Sequence, residues 1–512
     1  MHKFLKIILI FYIFIFPQKK SRFRNITNLN FRKVDFTNYK KIKLLIFKKD
    51  FISNNDELSI NNFDFLNYSI KIGGKTGIEI SKNNIFKWHA NNWLKINELW
   101  DNEIIASRII NLIYNFDYIN SLSSKIHEKK LKKIIRLHIS RFIINYYFKK
   151  DNELSLLELK ANILINIILN KKNINYEQKF TKIVKSHLDD FSFHKSYNLV
   201  EHSVFINDIS EIISILLYSK LEVSDIFFVT KLKMVTALSR YFHKDDTAAL
   251  FNGTNNNYLK QIIEVINEEK NIRKIDYPNS SNGIFFFDDD NKKIFFDVIQ
   301  PDKTLYSKKL SAGTLSIEFS SNKEKIITNC GALEKQGGNS SYLRYSAAHS
   351  TIILKNTNIS EIRQNQPHLK FPQLVNFKKN ISDGWVTCEG SHNGYLDRYK
   401  KIIKRKIFFR NNEEEIYGED NIISALPQNQ EVIFHIRFHL MPTINITETN
   451  KKRIMILKTK NNVIWTFKSN SDLVLEESIF VDKGDTTKTN QIVIKGISKL
   501  SKEKIKWSLI KT

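Results

Sequence analysis

Cysteine, glycine and proline are scarce in this 512-residue chain, at 2, 15 and 7 residues. Two cysteines, Cys330 and Cys388, cannot build a disulfide framework, although a single bridge between them stays open. No paired-cysteine zinc spacing, phosphate-loop glycine signature or dinucleotide fingerprint occurs. So few glycines and prolines exclude a collagen-like or linker-dominated chain. Acidic residues are outnumbered, 53 against 80 Lys and Arg, for a formal net charge of +27. That excess suits contact with a polyanion: nucleic acid, anionic lipid or an acidic polysaccharide. It suits equally a Lys-, Asn- and Ile-rich composition set by a biased genome, whose lysines are merely solvated. No basic stretch interleaved with aromatics supports nucleic-acid binding.

Length and a hydrophobic content of 42% allow two domains with cores of their own. The chain opens MHKFLKIILIFYIFIFPQKK. A basic start and the apolar run Ile7 to Phe16 resemble a secretory signal or envelope anchor, too short to span a bilayer. No small residues of a cleavage site follow Pro17, and an amphipathic arm packed on the first domain is the rival reading. Peripheral membrane association through residues 1–20 is the corresponding expectation. No later segment is long and apolar enough to be transmembrane.

From about residue 84 to 270 the apolar spacing is helical. Leu131, Ile134, Ile135, His138, Phe142 and Tyr146 share one face, and so do Phe205, Ile209, Ile212, Ile213 and Leu216. The stretch DYPNSSNG, residues 276–283, is turn chemistry, and beyond it the period changes. GIFFFDDDNKKIFFDVI, TLSIEFSSNKEKIITN, KRKIFFRNNEEEIYGED and RIMILKTKNNVIWTFKS each read as two strands around a polar turn. The expected architecture is multidomain, α then β. An N-terminal arm covers 1–83, a helical domain 84–277, and an antiparallel β-sandwich 278–512.

Several stretches, in order, resemble the heparinase II/III family, in its bacterial envelope branch. They include YFHKDDTAALFNGTN, AGTLSIEFSSNKEKIITNCGA, LRYSAAHSTIILKNTN, GSHNGYLDRY, RKIFFRNNEEEIYGED and IRFHLMP. The resemblance runs from about residue 84 to the C-terminus. It implies an incomplete (α/α) toroid joined to the β-sandwich, with a cleft between them. It also implies a polysaccharide lyase acting by β-elimination on a uronic-acid-containing glycan in the bacterial envelope or periplasm. The alternative on the same fold is a non-catalytic glycan-binding or envelope-biogenesis protein.

A lyase must offset the uronate's charge, remove the neighbouring proton and protonate the leaving oxygen. DDFSFHKSYNLVEHSVF, residues 189–205, resembles the family's site-bearing segment. His194 matches the motif histidine, Asn198 a following polar position, and His202 a histidine that follows a catalytic tyrosine. Here Glu201 stands in the tyrosine's place, Phe191 and Ser192 replace glycines, and Tyr197 is a substitute donor. On a helix beginning near Tyr197, Asn198 and His202 would share a face, with Glu201 placed to orient them. A plain helix cap at Ser196 or Asn198 is the competing reading.

In LRYSAAHSTIIL, residues 343–354, a strand-like run sets His349 among small neighbours, which suits a pocket or a tightly packed sheet edge. The resemblance assigns His349 to the catalytic set, opposite the helical residues. Arg344, Glu201, His243 and Trp385 are the substrate-binding candidates, arginine for its carboxylate-matching fork and tryptophan for stacking on sugar. The reaction requires no cofactor. Some relatives hold a structural zinc in the sandwich, for which His392 and His439 are the candidates, without a spacing that enforces tetrahedral geometry.

Overall fold

The computed structural model describes residues 60–150, 153–169, 176–256, 259–269, 283–301, 310–333, 341–363, 370–426, 431–499 and 501–512. The expected anchor at residues 1–20 and the turn at 276–282 lie outside them. The chain divides into two compact units, Met1–Leu188 with Phe205–Lys231, and Asp189–Val204 with Leu232–Thr512.

The first unit is helical. Helix Lys125–Phe148 starts where the Ser124 hydroxyl accepts the His127 N–H, and it buries the expected face from Leu131 to Tyr146. Helix Leu156–Ile168 opens with a capping box between Ser155 and Glu158. Trp100 lies between two guanidinium groups, with Arg108 and Arg141 at 4.6 and 3.8 Å from its ring centroid. The helices Phe65–Ile72 and Gly74–Asn92 begin before residue 84. Trp88 anchors the second of them, buried and donating its indole N–H to Asn61 at 2.8 Å. The expected arm over 1–83 therefore ends too late. Gly73 and Gly74, both at positive φ, separate the two helices. No helix among the described residues is long and apolar enough to cross a membrane.

The second unit is built around a β-sandwich. One sheet contains β1 (Gly283–Asp288), β2 (Lys292–Val298), β3 (Ile317–Ser321), β4 (Glu324–Thr328), β5 (Ile352–Leu354), β10 (Val432–Leu440), β14 (Leu473–Asp482) and β15 (Asp485–Ser498). It runs β1-β2-β3-β4-β10-β15-β14, with β5 also on β10. The other sheet contains β6 (Val375–Ser382), β7 (Trp385–His392), β8 (Lys401–Arg410), β9 (Glu415–Ser424), β11 (Asn445–Glu448), β12 (Ile454–Lys458), β13 (Ile464–Ser469) and β16 (Lys502–Lys511). It runs β11-β12-β13-β16-β9-β8-β7-β6. The named pairs are antiparallel, and each hairpin read from the sequence forms.

Alternate residues of each layer fill the core, including Phe296, Ile317, Phe319 and Phe438 from one sheet and Ile403, Ile407, Phe467 and Trp507 from the other. Arg405 also points inward. It pairs in register with Asp420, Nε and Nη2 donating to the carboxylate at 2.7 and 3.0 Å. Its Nη1 reaches the carbonyls of Leu315 and Ser350 on the facing layer at 2.9 and 2.8 Å. Both cysteines are buried and free, so no bridge joins them.

Strands β2 and β3 are buried on both faces. One face feeds the sandwich core, while the other carries Phe295, Asp297, Glu318 and Ser320. The stretch around Tyr241–Phe251 covers that outer face, with the rings of Tyr241, His243 and Phe251 within 6.1, 4.7 and 6.4 Å of Phe295.

Candidate active site

The run LRYSAAHSTIIL is a strand only over Ile352–Leu354. Ahead of it lie 3-10 turns at Ser341–Arg344 and Ser346–Ala348, in place of the expected longer strand. The local sequence explains the difference. Ser346 donates its hydroxyl to the Ala312 carbonyl at 2.7 Å and accepts the Ile359 N–H, which holds the chain in a turn.

His349 leaves that turn 4% exposed, with neither ring nitrogen bonded to a protein group. Its ring lies over the backbone of Gly313, where an added Cβ would come within 3.0–3.2 Å of the imidazole. Burial lowers its pKa to about 4, against the opposing pull of the Glu318 carboxylate.

Gly313 opens a tight turn in which the Ser316 N–H donates to the Gly313 carbonyl at 2.8 Å. The Ser316 hydroxyl is buried without a partner. Across the sheet, Asp297 exchanges main-chain bonds with Leu315 and Ser316. Burial pushes its carboxyl up to about 7, only partly offset by the Ile299 N–H. The same loop is gripped by Asn252, whose Oδ1 accepts the Ser311 N–H at 2.9 Å. That bond fixes the amide's orientation, and its Nδ2 is left buried without a partner. Each of these three side chains, on the loop or in contact with it, thus has a buried polar atom without a partner, which is rare in protein interiors.

The segment expected to face His349 is already engaged. Helix Leu199–Tyr218 begins two residues later than expected, and Asn198 caps it by accepting the N–H groups of Val200 and Glu201 at 2.8 and 3.1 Å. Asn198 Nδ2 donates to the Asn252 carbonyl, so Asn198 reaches the cluster as a brace. His202 is fully buried and stacked on Phe193 with centroids 4.2 Å apart. Its Nε2–H donates to the Met234 carbonyl at 2.8 Å and its Nδ1 accepts the His194 N–H at 3.0 Å. Main-chain groups therefore occupy both nitrogens, which corrects the expectation that this ring faces substrate. His194 bonds the Ser196 hydroxyl at 2.7 Å and lies 3.9 Å from Glu201. Tyr197, in a left-handed conformation, bonds the Asp189 carboxyl.

His243 does not line an open surface either. It is 3% exposed, bonded to Ser320 and, at 2.8 Å, to Glu318. Arg344 donates to the Leu310 carbonyl at 2.7 Å, bracing the Gly313 loop. Trp385 sits at the hairpin end of β7, packed under Arg410 and edge-on to Tyr417. His392 accepts the Gly394 N–H, and His439 bonds Ser478 and the Ala347 carbonyl. Among the described residues no three His, Cys, Asp or Glu side chains gather as a metal set.

Residues 278–508 match the family "Heparinase II/III-like, C-terminal". That match spans the β-sandwich. A solved heparinase III is 13% identical at a TM-score of 0.70, covering 99% of this chain and 89% of its own. The heparan sulfate lyase HepC from Pedobacter heparinus is 12% identical at a TM-score of 0.61, covering 100% and 88%. At such identity the likeness establishes the fold. The described residues therefore share the fold of these solved heparinase-type structures. No curated protein sequence matches it.

Asn252, Asp297, Ser316 and Glu318 were not singled out from the sequence. Asn252 lies in the quoted FNGTN turn, where its left-handed φ of 49° beside Gly253 is a local signal. Ser316, Glu318 and Ser320 alternate with Ile317 and Phe319, the pattern of a strand with one wet face.

Proposed function

We propose that this protein is a polysaccharide lyase acting by β-elimination on a uronic-acid-containing acidic glycan, with His349 holding the uronate carboxylate. One observation carries the reading: a buried imidazole keeps both nitrogens free of protein partners. Leaving such groups unpaired costs about 1–3 kcal/mol each, an expense that a bound carboxylate would offset. Burial keeps the ring neutral in the free protein. An arriving carboxylate favours the protonated form, and the resulting imidazolium cancels the charge that otherwise resists proton loss at the adjacent carbon. The Asn252 amide is a second donor for the developing enolate, an effect worth about 3 kcal/mol per donor.

The electron pair left by the departing proton forms the new carbon–carbon double bond as the glycosidic carbon–oxygen bond breaks. The expelled oxygen then takes a proton. Tyr345, exposed on the turn ahead of His349, is the side chain we assign to both transfers, its ionised form taking the carbon-bound proton and returning it to the expelled oxygen. The reaction as proposed needs no cofactor, and the partner is an acidic polysaccharide rather than nucleic acid. We place the protein in the bacterial envelope or periplasm on the strength of its N-terminal sequence.

A second reading has an observation of its own. Glu201 occupies the tyrosine position, and Asn198, Tyr197 and His202 are committed to structural bonds. That favours a glycan-binding protein without catalysis. Incubation with a panel of acidic polysaccharides separates the two, because elimination creates an ultraviolet-absorbing unsaturated uronate. We expect absorbance to rise with the native protein and to stay flat with His349→Ala at unchanged circular dichroism. Binding without any rise would support the second reading, and full activity in His349→Ala would overturn the site.

A further inference from the structure

We propose that Glu318 is a positioning residue for this site, locking the loop that carries Asn252 and the turn that carries His349 into one register. The inference rests on the reading of His349 given above.

Glu318 is fully buried on the outer face of β3. Its Oε2 accepts the Leu250 N–H at 3.1 Å, two residues ahead of Asn252, together with His243 Nε2–H and Lys325 Nζ, each at 2.8 Å. Lys325 also donates to the Ala248 carbonyl at 3.2 Å, a second tie to the same loop. The other oxygen, Oε1, accepts the Asn329 N–H at 2.9 Å and its Nδ2 at 3.2 Å, with the Thr328 hydroxyl at 3.4 Å. Asn329 then turns its Oδ1 to the Ser350 N–H at 3.0 Å, the residue that follows His349. One carboxylate thus reaches Asn252 through one oxygen and His349 through the other.

Burial lowers His243 to about 4, which keeps the ring neutral; it then gives its Nε2–H to the Glu318 carboxylate and has Nδ1 left for the Ser320 hydroxyl. Lys325 balances the Glu318 charge locally, and the surrounding donors hold that carboxyl down to about 2. A plain scaffold would satisfy this description except in one respect: the carboxylate is felt by the His349 ring itself. The titratable groups acting on that ring are Glu318 and His439, with Lys325 and His243 bonded directly to Glu318. Glu318 therefore supplies the negative charge that helps His349 accept a proton as a uronate arrives.

Two variants test this in the full-length protein. Glu318→Gln keeps the shape and removes the charge. Asn329→Ala keeps the charge and cuts the link to Ser350. The readouts are kcat and KM on a cleaved polysaccharide, the Ser350 amide exchange rate, and the ring signal of His349 followed by NMR towards acid. We expect kcat to fall tenfold or more in both variants with KM changed less than threefold. Ser350 exchange should quicken in Asn329→Ala, and His349 should titrate at lower pH in Glu318→Gln only. If Glu318→Gln does not fold, Asn329→Ala carries the kinetic and exchange tests alone. Unchanged kcat in a folded Asn329→Ala, or a His349 titration in Glu318→Gln that overlays the native curve, overturns the proposal. If no polysaccharide is cleaved, the lyase reading fails by itself, while the NMR shift and the exchange rate still decide the Glu318 linkage.

Discussion

Binding of an acidic sugar at His349 should draw a proton from solution, and the amount follows from the structure. Burial lowers this imidazole from its ordinary 6.5 to about 4 in the free protein. At about pH 5.5 the free ring is then about 3% protonated. A uronate carboxylate in contact works against burial. If it restores the ordinary value, the bound ring is about 90% protonated at the same pH, an uptake of about 0.9 proton per site. The sign is fixed by linkage: the complex binds more protons than the free protein, so affinity rises as pH falls from 6.5 towards 4. Across that window it gains about 80-fold. The suitable ligand is the unsaturated disaccharide product, which keeps its carboxylate and cannot be cleaved again. Calorimetry in buffers of different ionisation enthalpy counts the protons directly. The native protein should take up nearly one, and His349→Gln, which cannot titrate, close to none. Equal uptake in both proteins, or tight binding with none in the native one, would refute the assignment of His349 to the carboxylate.

Two further outcomes separate structural from functional side chains. His202→Ala leaves a main-chain donor and a main-chain acceptor unpaired in the interior and removes a stacked ring, so it should cost about 2–4 kcal/mol in urea unfolding. Its kcat, measured well below the lowered Tm, should stay within a few-fold of native; a collapse of kcat at native stability would return His202 to the catalytic set. Arg405→Leu strands the buried Asp420 carboxylate and frees the Leu315 and Ser350 carbonyls, at about 3–5 kcal/mol, whereas replacing Arg405 and Asp420 together by apolar residues should recover most of that loss. Equal losses in the single and double variants would show that the carbonyl bonds, not the ion pair, dominate.

Periodicity carried the fold a long way because it reports burial directly. The face from Leu131 to Tyr146 is buried as spaced, and each pair of strands around a polar turn closes into a hairpin. It failed where two layers cover one strand. Ser316, Glu318 and Ser320 alternate with apolar residues as a solvated face would, yet all three are buried, because the segment around Tyr241–Phe251 folds over them. Family likeness drew attention to His202 through its place in a motif, but a motif position carries no information about hydrogen-bond partners. The partners here, Met234 and the His194 N–H, come from another helix and from a turn. Asn252 escaped for the converse reason. A turn residue beside glycine looks like loop geometry until its amide is seen to face an interior with nothing to bond.

Burial alone does not choose among the histidines. His202, His243 and His349 are each lowered to about 4, and His392 and His439 to about 3, chiefly by loss of solvent. A depressed pKa therefore marks all of them and distinguishes none. Bonding does distinguish them. His202, His243 and His439 have both nitrogens engaged, and His392 has one. A satisfied buried ring gains nothing from a ligand, since any new bond must replace one already made. His349, unsatisfied at both nitrogens and packed against the backbone of Gly313, is the ring for which an incoming carboxylate adds bonds without breaking any.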